Sequence, residues 1–165
     1  MPAIDYRPTI ADVAVRLRAR LRTRGGAAVD TFTTDTAPTA VQVDAIIDEA
    51  LEEVAAEIGS NIPNVPVDPS DPDQTARNAA KRLVSLYAAM MVELSYFPEQ
   101  VSTERSSYKQ LKELFDTRLP KVKAAADQAR ELVGADADLP GESDIMPVSR
   151  FPRNAGGMVG NRTQF

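Results

Sequence analysis

Cysteine, histidine and tryptophan are all absent from this 165-residue chain. Without cysteine there is neither a disulfide nor a thiolate metal ligand. Without histidine no imidazole can act as base or ligand, which removes Ser-His and Cys-His chemistry and the usual zinc sites. Four Tyr and five Phe are the only aromatic side chains, and no run of them forms a stacking platform for bases. Long hydrophobic runs are missing too. The longest strongly apolar window, residues 83–92, is a ten-residue stretch between Arg82 and Glu93, which reads as a buried helix segment and is too short to span a bilayer. The opening MPAIDYRPTI has no apolar signal core, so the sequence predicts no export and no membrane partner.

Carboxylates are plentiful, so a magnesium site held by acids alone stays conceivable. Glu52, Glu53 and Glu57, or Asp68, Asp71 and Asp73, can be drawn as paired acids. No nucleophile, phosphate loop or complementary base accompanies them. The chain is therefore read as a non-enzyme, with no catalytic residue, no cofactor and no metal site assigned.

Charge is divided along the chain. Residues 1–24 carry six Arg against two acids, residues 25–76 carry eleven acids and no Lys or Arg, and the remainder is nearly balanced. Such segregation gives up local pairing, and it suits a subunit whose parts face different neighbours or a polyanion.

Hydrophobic periodicity predicts four helices. The first starts at Thr9, capped with Asp12 three residues on, and places Ile10, Val13, Ala14, Leu17 and Leu21 on one face. It should end between Leu21 and Thr23, before Gly25-Gly26, with Arg16, Arg18, Arg20 and Arg22 flanking the stripe. Those arginines suit a solvated rim, an acidic protein surface or nucleic acid. A short extended piece is expected over residues 29–33. Thr39 and Gln42 then form a capping box behind Pro38. The helix after it carries Val43, Ile46, Ile47, Ala50, Leu51, Val54 and Ile58 on one face and Asp48, Glu49 and Glu52 on the other, with Gly59 as its stop. It should measure about 20 residues, or about 30 Å at 1.5 Å per residue.

Prolines 63, 66, 69 and 72 make residues 60–72 an ordered linker, pinned by Ile62, Val65 and Val67. A third helix is expected over 73–97, with Leu83, Leu86, Tyr87, Met90, Met91, Leu94 and Phe97 on a broad apolar face. Its apolar richness makes it the central helix. The fourth begins between Ser102 and Ser106 and carries Tyr108, Leu111, Leu114, Phe115 and Leu119. Val122, Ala125, Ala126, Ala129, Leu132 and Val133 keep the phase beyond Pro120, which predicts a kinked or briefly interrupted helix stopped by Gly134.

The fold class expected is thus all-α, a small antiparallel bundle of about four helices over 1–134. Residues 135–165 lose all periodicity and read as an extended C-terminal arm. Apolar anchors Phe151, Met158 and Phe165 alternate there with Arg150, Arg153 and Arg162, the chemistry of an arm laid across another subunit.

The segment from Phe32, FTTDTAPTAVQVDAIIDEALEEVAAEIG, resembles the opening of tailed-phage head-to-tail adaptor proteins, the connector or head-completion proteins of siphovirus necks. The likeness lies in a Phe followed by Thr and Asp residues, then Pro-Thr-x-x-Gln-Val, then a helix of Ile, Ala and Glu. It extends more loosely through ARNAAKRLVSLYAAMMVELSYF and the next helix, about 100 residues in all. The resemblance implies a structural protein of the virion neck, assembled in the host cytoplasm as a homo-oligomeric ring of twelve copies below the portal. It implies the portal protein as one partner and a stopper or tail-completion protein as another, with genomic DNA passing through the channel without sequence-specific binding. On that reading Arg16, Arg18, Arg20, Arg22, Arg150, Phe151, Arg153, Met158, Arg162 and Phe165 face the portal or a neighbouring subunit, and Asp48, Glu49 and Glu52 face the channel. The alternative is a free-standing nucleic-acid-binding or regulatory helical protein that uses the Arg-rich first helix. Against it, the chain is acidic overall and has no helix-turn-helix phrase.

Overall fold

The structure, a computed structural model, describes residues 4–18, 20–65, 75–98 and 106–137. These form four helices and no β-strand: α1 (Ile10–Leu17), α2 (Ala40–Ile58), α3 (Ala76–Tyr96) and α4 (Ser107–Ala137). The all-helical bundle read from the sequence is what the chain adopts.

Two of the starts are reciprocal capping boxes. The Thr9 amide donates to Asp12 at 2.7 Å while the Asp12 amide donates back to the Thr9 hydroxyl at 3.2 Å. Thr39 and Gln42 do the same at the head of α2, at 2.9 and 3.4 Å. Each box satisfies amides that the first helical turn leaves without partners. Thr75 caps α3 by accepting from the Asn78 amide.

α1 ends at Leu17, a turn earlier than its periodicity suggests. The Arg20 amide closes a turn onto the Leu17 carbonyl, and the backbone beyond that turn pairs with nearby loop residues. Arg22 bridges Ala28 and Thr23 bridges Thr36, both antiparallel, around Gly26 at φ +86°. Backbone groups engaged in that pairing are unavailable to a helix. The bridges therefore fall at 22–23, 28 and 36, and of the piece expected over 29–33 Val29 donates to the Leu21 carbonyl. Leu21 still reaches the core.

α3 is central as expected and packs against each of the other three helices. Leu83, Leu86 and Met90 are buried, but so are Val84, Ser85, Ala88, Ala89, Val92 and Glu93. Burial thus extends round most of the helix, and small residues let neighbours approach closely. Leu94, expected on the apolar face, is half exposed. On α2 the stripe is buried at Val43, Ile47, Ala50, Leu51, Val54 and Ile58, and Ile46, expected on the same face, is only partly buried. Each fully buried Leu or Ile contributes on the order of 1.5–3 kcal/mol of transfer free energy.

α4 runs unbroken through Pro120, which lies on its exposed side. Gly134 does not stop it, and the helix continues to Ala137, so the expected boundary at 134 falls inside a helix. Its burial ends earlier: Ala129 is enclosed, whereas Leu132 and Val133 are half exposed.

Helix directions are fixed by the contacts. Asp12 meets Lys81, Arg16 meets Ser85 and Arg20 meets Glu93, so positions climb together and α1 runs parallel to α3. Glu53 and Val54 share a cleft with Phe115, while the Ile58 carbonyl accepts from Arg130, so α2 and α4 also run alike. The linker begins as expected, with Ile62 buried and Val65 packed on the core. Val67 lies outside the described residues.

One element escaped the sequence reading. Residues 4–9 lie as a strap over the bundle. Asp5 accepts from Arg77 at 3.0 Å, the Tyr6 hydroxyl donates to the Gly59 carbonyl at 2.7 Å, and Pro8 is buried. Arg7 grips Asp48 at 2.7 Å and Asp44 at 2.9 Å.

Candidate interaction surfaces

The four arginines around α1 divide into two pairs. Arg16 lies against α3, where its Nε donates to the Ser85 hydroxyl at 2.8 Å and its Nη2 to the Arg82 carbonyl at 3.2 Å. Burial first, and then the charges of Arg118 and Arg82, lower its pKa from the ordinary value, with Asp12 opposing. Arg20 lies just past α1 and sets its Nη1 3.1 Å from the Glu93 carboxylate and its guanidinium 5.9 Å from the Phe97 ring centre. Arg18 and Arg22 are exposed, the latter donating to the neighbouring Leu21 carbonyl. The bundle thus draws two of the predicted interface cations inward and leaves two outward.

Part of the charge segregation of the sequence is resolved inside the fold. Arg7 joins the acidic α2, Arg20 joins Glu93 on α3, and Lys81 reaches back to Asp12 at 3.0 Å. Blocks that are separate along the chain become partners in space. Pairing by Asp48 first and Asp44 second raises the Arg7 pKa from its ordinary value.

That leaves two surfaces of opposite sign. Between α1 and α3 runs an open groove lined by Val15, Arg16, Asn78, Lys81, Arg82 and Ser85, with Asp12 at its side. Arg118 of α4 is close enough for its charge to bear on Arg16. Arg82 stands in the second turn of α3. Its role in a groove depends on α1 lying alongside, which local pattern does not report.

The second surface is the outward face of α2. Glu49, Glu52, Glu53 and Glu57 line it around Ala56. All three acids expected to face a channel are exposed; Glu49 and Glu52 line this face, and Asp48 is bound by Arg7. Beside this face is a cleft of Val54, Tyr87, Phe115 and Leu119, with Glu53 and Glu57 on its rim. The Tyr87 and Phe115 ring centres are 5.2 Å apart, and the Tyr87 hydroxyl donates to Glu53 at 3.3 Å. Burial, then the Glu53 charge, raises the Tyr87 pKa.

Among the described residues no group of three or more acids could hold a metal ion, and no helix is long and apolar enough to cross a membrane. Arg150, Phe151, Arg153, Met158, Arg162 and Phe165, the expected anchors of the arm, lie outside the described residues. Comparison with protein-family models, with curated proteins and with solved structures finds no match for this chain.

Proposed function

We propose that this protein is a structural head-to-tail adaptor of a tailed phage, forming a ring below the portal that extends the DNA channel and carries a stopper or tail-completion protein. The observation that carries this reading is the behaviour of the segment that resembles such adaptors. Phe32 is buried in the core, and Thr36 is enclosed with its hydroxyl donating to the Pro38 carbonyl at 2.6 Å. Thr39 and Gln42 cap α2, whose apolar face is buried and whose glutamates face outward. Phe32, Thr36, Thr39, Gln42 and Val43 of the phrase thus act together in one folded unit, which supports the reading.

The nucleic-acid-binding alternative draws less support. Arg16 and Arg20 are engaged by Ser85, the Arg82 carbonyl and Glu93, so the first helix does not present its arginines as one outward stripe.

Particle imaging of an assembly containing the portal tests the proposal. The expected result is a closed ring of this chain on the portal, twelve copies by the family resemblance. A discrete portal complex without such a ring overturns it.

A further inference from the structure

The cationic groove and the acidic helix face occupy different sides of the bundle. At 100° per residue, Arg82 and Ser85 stand about 140–160° around the α3 axis from Tyr87. Tyr87 belongs to the acidic cleft, whereas Arg82 and Ser85 line the groove. On α4, Arg118 and Leu119 fall on opposite flanks of the buried stripe through Leu111 and Val122, about 100° apart. Leu119 lines the acidic cleft, and Arg118 is exposed on the other flank.

Each side also has an apolar centre. Val15 lines the groove and is 58% exposed, and Leu114, on the Arg118 flank of α4, is 44% exposed. Opposite them, the acidic rim surrounds the partly open ring pair of Tyr87 and Phe115. An apolar centre within a charged border is the composition of a protein docking surface, and the two borders are complementary in sign.

We propose that these surfaces meet between copies of this chain, the Arg16, Lys81, Arg82 and Arg118 side of one copy seating on the Glu49, Glu52, Glu53 and Glu57 side of the next. Because the two surfaces differ and point apart, the contact is head-to-tail. Each copy keeps one surface of each kind open, so association continues until it closes as a ring or runs on as a filament. Complementary charge sets the register and speeds encounter, while the apolar centres exclude water. Asp12 keeps Lys81 in place from within the same copy.

The inference rests on the adaptor reading for its setting, yet the two fail separately. Copies that associate through these surfaces but never decorate a portal overturn the adaptor reading alone. A ring that forms on the portal regardless of either charge reversal overturns this inference alone.

The experiment is sedimentation of the full chain over a concentration series at low and high salt. Wild-type protein is expected to associate, less so at high salt. The variants Glu49→Arg with Glu57→Arg, and Arg82→Glu with Arg118→Glu, should each weaken association at least about tenfold. The chain carrying all four substitutions should recover it, because the signs are again complementary. That recovery separates loss of contact from loss of fold, since a misfolded variant is not restored by two more substitutions. Wild-type copies that stay monomeric at the highest soluble concentration overturn the proposal. So does association that ignores both reversals, or a four-substitution chain as dispersed as its parents. Tight duplex DNA binding lost with Arg82→Glu and Arg118→Glu, from copies that stay monomeric, would assign the groove to nucleic acid instead.

Discussion

Glu93 is the side chain least at home in its surroundings. It is 1% exposed on the central helix, one oxygen faces Arg20 at 3.1 Å, and the other has no hydrogen-bond partner among the described residues. Removing a carboxylate from water costs several kcal/mol, and a single partly exposed guanidinium offsets only part of that. Burial therefore raises the Glu93 pKa above its ordinary value of 4.5, with Arg20 pulling it back. A raised folded-state pKa means that the native protein holds this proton more tightly than the unfolded chain does. The stability so contributed is complete below the ordinary value and fades as pH climbs through the folded-state pKa. In urea unfolding at a series of pH values from 4 upward, wild-type protein should lose ground to Glu93→Gln as pH rises. A gap that is the same at every pH would show the carboxyl to be unperturbed. Arg20→Met should cost about 3–5 kcal/mol at neutral pH, because it leaves the buried charge alone.

Among the elements, the end of α2 is where the strap, the linker and α4 converge. Gly59 takes φ +88° and ψ 147°, its amide closes onto the Ala55 carbonyl, and its own carbonyl accepts from Tyr6. Arg130 crosses from α4 to donate to the Ile58 and Asn61 carbonyls, and a Cβ on residue 59 would collide with its guanidinium. Gly59→Ala should therefore cost about 1–3 kcal/mol from backbone strain, with the collision in addition. Adding Arg130→Ala should not restore the wild-type melting temperature, since it removes the collision and leaves the strain. Full restoration would show that the backbone conformation is not at fault.

The same junction marks what could be read from the sequence. The starts of α1 and α2, and the burial of the α2 stripe, depend on residues three or four apart and were legible. So was Gly59 as a stop. Tyr6, which meets Gly59 from 53 positions away, was not, because nothing near it in the chain announces its partner. The early end of α1 was hidden for the same reason, being set by Ala28 and Thr36. Ser85 and Glu93 broke the expected apolar face of α3, and only the approach of Arg16 and Arg20 explains their burial. Acidic α2 was visible as a charged face, whereas the groove at Arg82 needed α1 to lie alongside α3 first.

At the scale of the whole molecule, what matters is where the core stops. The last enclosed side chain described on α4 is Ala129, and beyond it Leu132 and Val133 are half exposed. The described core is closed by α1 to α4 and the strap, with its ion pairs formed among the same elements. Residues 145–165 carry three Arg and no acid, and their apolar residues are scattered singly. Such a composition brings little area to an internal core but offers anchors and charge-assisted bonds to another protein. Deleting residues 145–165 should therefore leave helical content and melting temperature close to wild type, while attachment to the portal or to adjacent copies weakens. Circular dichroism reads the first effect and co-sedimentation with the portal the second. If the shortened chain unfolds, and whatever folded protein survives still attaches as before, the arm is an internal brace of the bundle and its docking role is lost.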